Sequence, residues 1–198
     1  MGGREQRRRR YPRTVAAVDP VPTHAIPIQP GEPFTIRRAT TADVPRIQQL
    51  IEPLIQQRIL LGKERVVFYE LIQEFLVAED ANGELIGCGA LHVMWADLAE
   101  VRTLAVLDEW RGRGVGHALV QRLIDRASAL GVARVFCLTF EVEFFERHGF
   151  RAISDVPVPP EVYAEMVRSV DEGVAEFLDL ARVKQNTLGN TRMLLLLS

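Results

Sequence analysis

Apolar positions along the chain follow two rhythms, and the switches between them outline the elements. Phe34-Thr35-Ile36-Arg37 alternates as a strand does. Val44, Ile47, Leu50, Ile51, Leu54 and Ile55 then recur every three or four residues, which predicts a helix. Thr40 is placed to cap it, and Asp43 lies in its first turn, where negative charge is favoured. A second helix is expected over 64–74. The link between the two, Ile59-Leu60-Leu61-Gly62-Lys63, is apolar and then basic. Three aliphatics gain nothing on a surface link, so this loop is expected to pack over something.

Strands are expected at 75–79 and again at 85–93, and Asn82-Gly83 between them is a strong hairpin signal. Gly87 and Gly89 in the second run allow a close approach or a bulge. A strand over 100–106 leads into Arg111-Gly112-Arg113-Gly114-Val115-Gly116. Leu119, Leu123, Ile124, Ala127 and Leu130 then repeat at helical spacing, with Gly131 as the stop. A strand at 132–140, a short helix at 143–148 and a strand at 150–153 follow. Pro157, Pro159 and Pro160 interrupt the pattern before a helix around 161–170, and the last strand is expected at 192–197. This order predicts an α+β (mixed α/β) domain. Its central twisted sheet is mostly antiparallel, of about six to seven strands, flanked by helices, with one βαβ unit at the glycine stretch.

Residues 1–33 break with this pattern. Arg7 to Arg10 form a basic run, and Pro12, Pro20, Pro22, Pro27, Pro30 and Pro33 follow. Such a segment buries too little apolar surface to offset its ordering entropy, so a disordered Arg/Pro-rich leader is expected ahead of one domain at 34–198. No apolar h-region follows the arginines, which argues against a secretory signal, and no run is long enough to span a membrane. The expected location is cytoplasmic. With 198 residues, 25% charged residues and a net charge of −2, bulk electrostatics gives no case for nucleic acid. Cys88 and Cys137 lie in apolar runs and read as core residues; no spacing of Cys, His, Asp and Glu suggests a metal site.

Strand, glycine loop, helix is an arrangement that binds anions. The first helical amides have no intrahelical partner, and the macrodipole adds positive potential there. Glycines let the backbone approach a phosphate closely, and Arg111 and Arg113 add full charges. The loop lacks the Gly-Lys-Ser/Thr of a P-loop, and its G-x-G-x-G departs from the G-x-G-x-x-G dinucleotide fingerprint.

The run Arg111-x-x-Gly114-x-Gly116 resembles the R/Q-x-x-G-x-G/A pyrophosphate loop of the GNAT acetyltransferases, which bind acetyl-CoA. Thr35-Ile36-Arg37-Arg38-Ala39-Thr40 looks like the usual opening of that domain, and Phe144-Phe145-Glu146-Arg147-His148-Gly149-Phe150 like its closing helix-turn. Three further stretches are similar to the acetyltransferase domain of bacterial N-acetylglutamate synthases. These are Ile51-Glu52-Pro53-Leu54 through Ile59-Leu60-Leu61, Glu100-Val101-Arg102-Thr103-Leu104-Ala105-Val106, and Phe136-Cys137-Leu138-Thr139. Longer synthases carry an amino-acid-kinase-like domain in front, for which this chain leaves no room. It is similar to the short, single-domain actinobacterial type.

The resemblance implies acetyl transfer from acetyl-CoA, without a metal, to the α-amino group of L-glutamate, with L-glutamine as the alternative. That reaction is the first step of arginine biosynthesis. A homodimer is implied at family level; no nucleic acid or membrane partner is. Leu104, Ala105, Val106, Arg111, Gly112, Arg113, Gly114, Val115, Gly116 and His117 are the positions expected to hold CoA. Glu100 aligns with the acidic position of the synthases and is the candidate general base, acting through a water; the alternative is a solvated carboxylate at a strand end. Many relatives protonate the leaving thiolate with a tyrosine where Phe144 and Phe145 stand here, which leaves Thr139 as the candidate donor. For the acceptor's carboxylates the candidates are Leu60 and Lys63 in the first loop, Arg102 and Thr103 on the strand, and Arg182, Lys184 and Arg192 near the C-terminus. Gly62 stands where relatives can have arginine. His92, His117 and His148 show no triad pattern and read as structural, with His117 near the pyrophosphate. The competing readings are acetylation of another amine, such as a protein N-terminus or a polyamine, and a non-catalytic acyl-CoA sensor.

Overall fold

A computed structural model describes residues 34–183 and 189–197; the leader and Lys184 lie outside the described residues. One seven-stranded sheet runs through the domain in the order β1-β2-β3-β4-β5-β7-β6. The strands are β1 (Thr35–Arg38), β2 (Phe75–Glu79), β3 (Leu85–Trp95), β4 (Leu98–Val106), β5 (Arg134–Thr139), β6 (Arg151–Ala152) and β7 (Thr191–Leu196). Only β4 and β5 run parallel; every other neighbouring pair is antiparallel. The parallel pair is joined through α3, since parallel neighbours need a crossover connection rather than a tight turn.

Helix α1 (Val44–Gln56) buries Val44, Ile47, Leu50 and Ile51 on one face of the sheet. Its start is tied down by charge. Asp43 is buried, and the Arg37 guanidinium on β1 grips it through bonds of 2.7 and 2.8 Å while also holding Glu79 on β2. That grip keeps the Asp43 carboxyl well below the usual carboxylate range. Thr40 completes the corner as a capping box. The expected second helix divides into α2 (Arg65–Glu70) and a 3₁₀ turn, Ile72–Glu74. In the preceding link, Leu60 packs against the α1 core, whereas Ile59 and Leu61 are exposed, so the expected packing holds for one aliphatic of three.

The opposite face is covered by α3 (Val115–Ala129), which buries Val115, Leu119, Val120, Leu123 and Ala127. Its close approach explains the two glycines of β3. A Cβ at Gly87 would lie 3.1 Å from Val115 and from the Ala105 carbonyl oxygen, and one at Gly89 3.1 Å from Leu104 and Leu123. Cys88 and Cys137 are buried and unpaired in the core. Helix α4 (Val142–Glu146) follows β5. Beyond β6 come α5 (Pro160–Met166) and a helix not anticipated from the sequence, α6 (Glu172–Phe177). Met166, Val174, Phe177 and Leu178 form a third apolar cluster with Leu98 and Phe136, setting α5 and α6 over the junction of β4 and β5.

Two irregularities shape the middle of the sheet. Strands β4 and β5 pair over only three positions, Leu98↔Arg134, Ala99↔Val135 and Glu100↔Phe136, and then part. On its other edge β4 carries a bulge: Ala90 pairs with Arg102 but Cys88 pairs with Ala105, so Gly89 opposes two residues. The extra residue is Thr103, at φ 54°, a left-handed conformation that is costly for a β-branched side chain. Ala99 and Val101 face the α3 core before the bulge, and Leu104 and Val106 do so after it. The bulge thus keeps the same face apolar while changing the strand's course at the cleft.

Candidate active site

The cleft opens where β4 and β5 separate, and its two walls are built differently. The first wall is backbone. After β4 the chain makes a 3₁₀ turn, Asp108–Trp110, with Trp110 buried and the Arg113 guanidinium 5.0 Å from its ring centre. Gly112 and Gly114 adopt φ of 74° and 84°, and Gly114 is the N-cap of α3. The first helical bond is donated by Ala118 N–H to the Gly114 carbonyl at 2.9 Å. The amides of Gly114, Val115, Gly116 and His117 therefore lack an intrahelical acceptor and lie at the positive end of a 15-residue helix. Arg111 is exposed beside them, in a 3.5 Å surface contact with Asp108 that is worth little by itself.

His117 and His148, both read as structural from the sequence, face each other across this wall. His117 Nδ1 and His148 Nε2 are 2.9 Å apart, so one ring donates and the other accepts. Phe144 lies against both rings and against Gly116. Burial pushes His148 down to about 4, and His117 is lowered by burial and by the charge of Arg147. The pair is neutral at physiological pH and ties α4 to the first turn of α3.

The second wall is side chains. Glu100, at the last position where β4 pairs with β5, is 3% exposed, which removes the reading of a solvated strand-end carboxylate. Its Oε2 is buried with no hydrogen-bond partner among the described residues. Burial pushes its carboxyl up to about 7 against the opposing charge of Arg102. Arg102 donates from Nη1 to Asp171 at 2.9 Å and from Nη2 to Glu74 at 3.1 Å, with Glu100 Oε2 at 3.7 Å from Nη1. His92 Nδ1 is 2.7 Å from the other Glu74 oxygen, and its Nε2 is 3.6 Å from Asp171. Glu176 on α6 is also raised to about 7, by burial first and by Glu172 next, with Lys63 opposing. Lys63, Val67, Phe68, Leu71, Phe75, Arg102 and Thr103 line a small cleft beside this cluster.

The remaining candidates are placed as follows. Thr139 is buried at the end of β5, and its Oγ1 accepts the Glu141 N–H at 2.9 Å. Arg182 donates to the Ser169 carbonyl at 3.0 Å. Arg192 donates to the carbonyls of Asp155 and Phe177 and holds the end of α6. Both arginines are thus engaged within the chain. Ala105 is buried in the α1 core, whereas Leu104 and Val106 border the α3 side. Glu74, Asp171, Gly173 and Glu176 were not singled out in the sequence, and His92 was read only as structural. They come from four separate elements or turns, and no local spacing joins them.

A strand splitting from its parallel neighbour beside a helix with open N-terminal amides is the geometry a pyrophosphate-bearing acyl carrier would need. A family model described as acetyltransferase (GNAT) domain matches residues 72–152. An amino-acid acetyltransferase of Mycobacterium tuberculosis is 57% identical over 164 residues, covering 82% of this chain and 94% of that protein. The chain belongs to the GNAT acetyltransferases. A Mycobacterium tuberculosis protein solved in complex with CoA superposes on this acetyltransferase with a TM-score of 0.79 at 56% identity, covering 83% of this chain and 99% of that one. An N-acetylglutamate synthase of Neisseria gonorrhoeae, complexed with coenzyme A and N-acetyl-glutamate, gives a TM-score of 0.68 at 29% identity. That match covers 85% of this chain but 36% of the larger protein. The expected α+β GNAT fold, with its mostly antiparallel sheet of about six to seven strands, is therefore the fold observed.

Proposed function

We propose that this GNAT enzyme transfers the acetyl group of acetyl-CoA to the α-amino group of L-glutamate, with L-glutamine as the alternative acceptor. The observation that carries the reading is Glu100: a buried carboxyl, raised to about 7, at the point where β4 and β5 part and one strand-length before the open amides of α3. The CoA-bound relative at 56% identity supports the donor, and the N-acetyl-glutamate-bound synthase supports the acceptor.

Acetyl-CoA supplies the thioester carbonyl. The amides of Gly114 to His117, with Arg111 and Arg113, hold its pyrophosphate, and Leu104 to Val106 border its arm. An amine attacks only as the free base, so Glu100 takes a proton from the α-ammonium through a water; a base near neutrality suits that step. As the new C–N bond forms and the C–S bond breaks, the thiolate must be neutralised. The departing sulfur takes up the proton that the new amide nitrogen sheds, and Thr139, whose oxygen accepts the Glu141 amide, steadies the thiolate by donating a hydrogen bond to it. Lys63 and Arg102, in one cleft with Thr103, are the cations that meet the acceptor's carboxylates. The same reading places the enzyme in the cytoplasm as a homodimer, acting by direct transfer without an acetyl-enzyme. Steady-state turnover with acetyl-CoA against a panel of amino acids, a polyamine and a peptide N-terminus tests it. Turnover highest with glutamate or glutamine is the expected result. A preference for the polyamine or peptide would overturn the acceptor assignment, and acetyl-CoA binding with no turnover would leave a sensor.

A further inference from the structure

One oxygen of the Glu100 carboxylate is closed off. Glu100 Oε2 has neither solvent access nor a hydrogen-bond partner among the described residues, because the first turn of α6 lies directly on it. A methyl group built on Gly173 would overlap Oε2 and lie 2.9 Å from the Glu100 carboxyl carbon. Only a hydrogen atom fits between helix and carboxylate. An ammonium group, or the water that relays its proton, cannot reach this oxygen until the turn lifts.

What holds the turn down is Asp171, its N-cap. One Asp171 oxygen accepts the Val174 amide at 3.1 Å, and the other accepts from Arg102 at 2.9 Å. Burial alone would raise the Asp171 carboxyl, but Arg102 outweighs it and holds the group below its ordinary range. The far end of α6 is fixed separately, by Phe177 packed edge-on to Phe136 and by Arg192 on the Phe177 carbonyl. The helix is thus seated at its C-terminal end by packing, while its first turn is held by Val174 in the apolar cluster and by Asp171, which pairs with Arg102 and lies 3.6 Å from His92 Nε2. Arg102 is 9% exposed, yet it lines the cleft that also presents Lys63. Three carboxylates, from Glu74, Glu100 and Asp171, surround this single guanidinium. An incoming carboxylate can replace Asp171 without leaving the arginine uncompensated.

We propose that Asp171 is an internal stand-in for the acceptor's carboxylate: it occupies Arg102 in the unliganded enzyme, and an anionic amino acid displaces it, lifting the first turn of α6 from Glu100. This rests on the acceptor reading above. It makes Asp171 a specificity-determining residue, because only an acceptor bearing a carboxylate can release the base. Amines without one leave Oε2 covered.

Asp171→Asn separates the two roles of the side chain. Asparagine still caps the helix, but it no longer pairs with Arg102 as a charge. The probe is glutarate, which carries two carboxylates and no amine, so its binding reads the exchange without acetyl transfer. Calorimetry should show glutarate binding more tightly to Asp171→Asn than to wild type, by roughly the three- to ten-fold expected when a competing closed state is removed. In hydrogen exchange, glutarate should speed the amides of 172–177 in wild type, and in Asp171→Asn these should be fast already. The KM for glutamate should fall in the variant, a change that a merely structural role would reverse. Unchanged or weaker glutarate binding in the variant, or α6 amides indifferent to glutarate, would overturn the proposal. If glutarate behaves as expected while no amino acid is acetylated, the exchange stands and the acceptor reading fails.

Discussion

The two walls of the cleft solve opposite problems. The donor wall presents charge that costs almost nothing to hold: peptide dipoles at a helix start, solvated until used, assembled from residues within one turn of chain. The acceptor wall holds Glu100, Arg102, Asp171 and Glu176 largely out of water, where each ionised group is expensive unless paired. Arg102 is raised even though burial opposes it, because Glu100, Asp171 and Glu74 surround it. Binding a phosphate needs open donors, whereas taking a proton at neutral pH needs a carboxylate that water does not stabilise. The first is robust and local. The second is strained and depends on parts far apart in sequence.

Removing the basicity of the acceptor wall should have the largest effect. Glu100→Gln keeps the shape and should lower turnover by the ~10²–10⁴-fold typical of a positioned general base, with acetyl-CoA affinity nearly unchanged. Part of the loss should return at high pH, where more of the amino acid is already deprotonated. Overlaying pH–rate profiles of variant and wild type at saturating substrates would remove Glu100 from the mechanism.

On the donor wall the effect should be confined to binding. A Cβ at Gly116 meets the Phe144 ring at 3.5 Å, an ordinary contact, so Gly116→Val tests phosphate approach without the backbone strain that a side chain at Gly114, φ 84°, would add. A loss of acetyl-CoA affinity of about ten-fold, ~1.4 kcal/mol, is expected in calorimetry with kcat largely kept. Full affinity would detach the loop from the cofactor.

The same Glu100→Gln change sharpens the contrast through stability. The Glu100 carboxyl has an ordinary value of 4.5 and is raised to about 7 in the fold. Between those values the unfolded chain releases its proton while the folded chain keeps it, so wild-type stability falls as pH rises through that window. Above it, the cost levels off at about 3 kcal/mol, and glutamine removes it. Thermal melts should show the variant more stable than wild type at pH 8, by several degrees, with the gap closing toward pH 4. A gap that does not depend on pH would mean that Glu100 is not held protonated. The smallest effect is expected outside both walls. A chain starting at Phe34 should match the full chain in melting and turnover, since residues 1–33 offer arginine and proline but little core. A fall of more than a few degrees would count against that.

This contrast also explains what could be read from the sequence. The glycine loop was legible because Gly112, Gly114 and Gly116 sit in order between a strand and a helix, and the chemistry needs nothing else. The strands were legible within about two residues because short apolar runs bounded by turn signals mark buried strands, as at Phe75–Glu79, whose first four residues are all buried. Helix α6 was not: it has six residues, no helical stripe long enough to register, and three prolines not far upstream. With it went Asp171, Gly173 and Glu176, whose significance comes from lying over β4. His92 and Glu74 were hidden for the same reason, since they meet through a register set by the β2–β3 hairpin and the turn before it. Glu100 could be named, but its burial could not, because the cover comes from more than seventy residues later.

The three-position seam between β4 and β5 has a consequence for how the chain assembles. On one side, β2 to β4 form a meander closed by short turns; on the other, β5 pairs with β7 across 52 positions, as at Thr139↔Thr191. Loop closure costs more for the second half, so the meander with α3 is placed to order first and to act as a template for the rest. The split would then be a line between an early and a late folding unit, and a ligand bound across it would act as a fastener, raising the barrier to unfolding as well as the equilibrium stability.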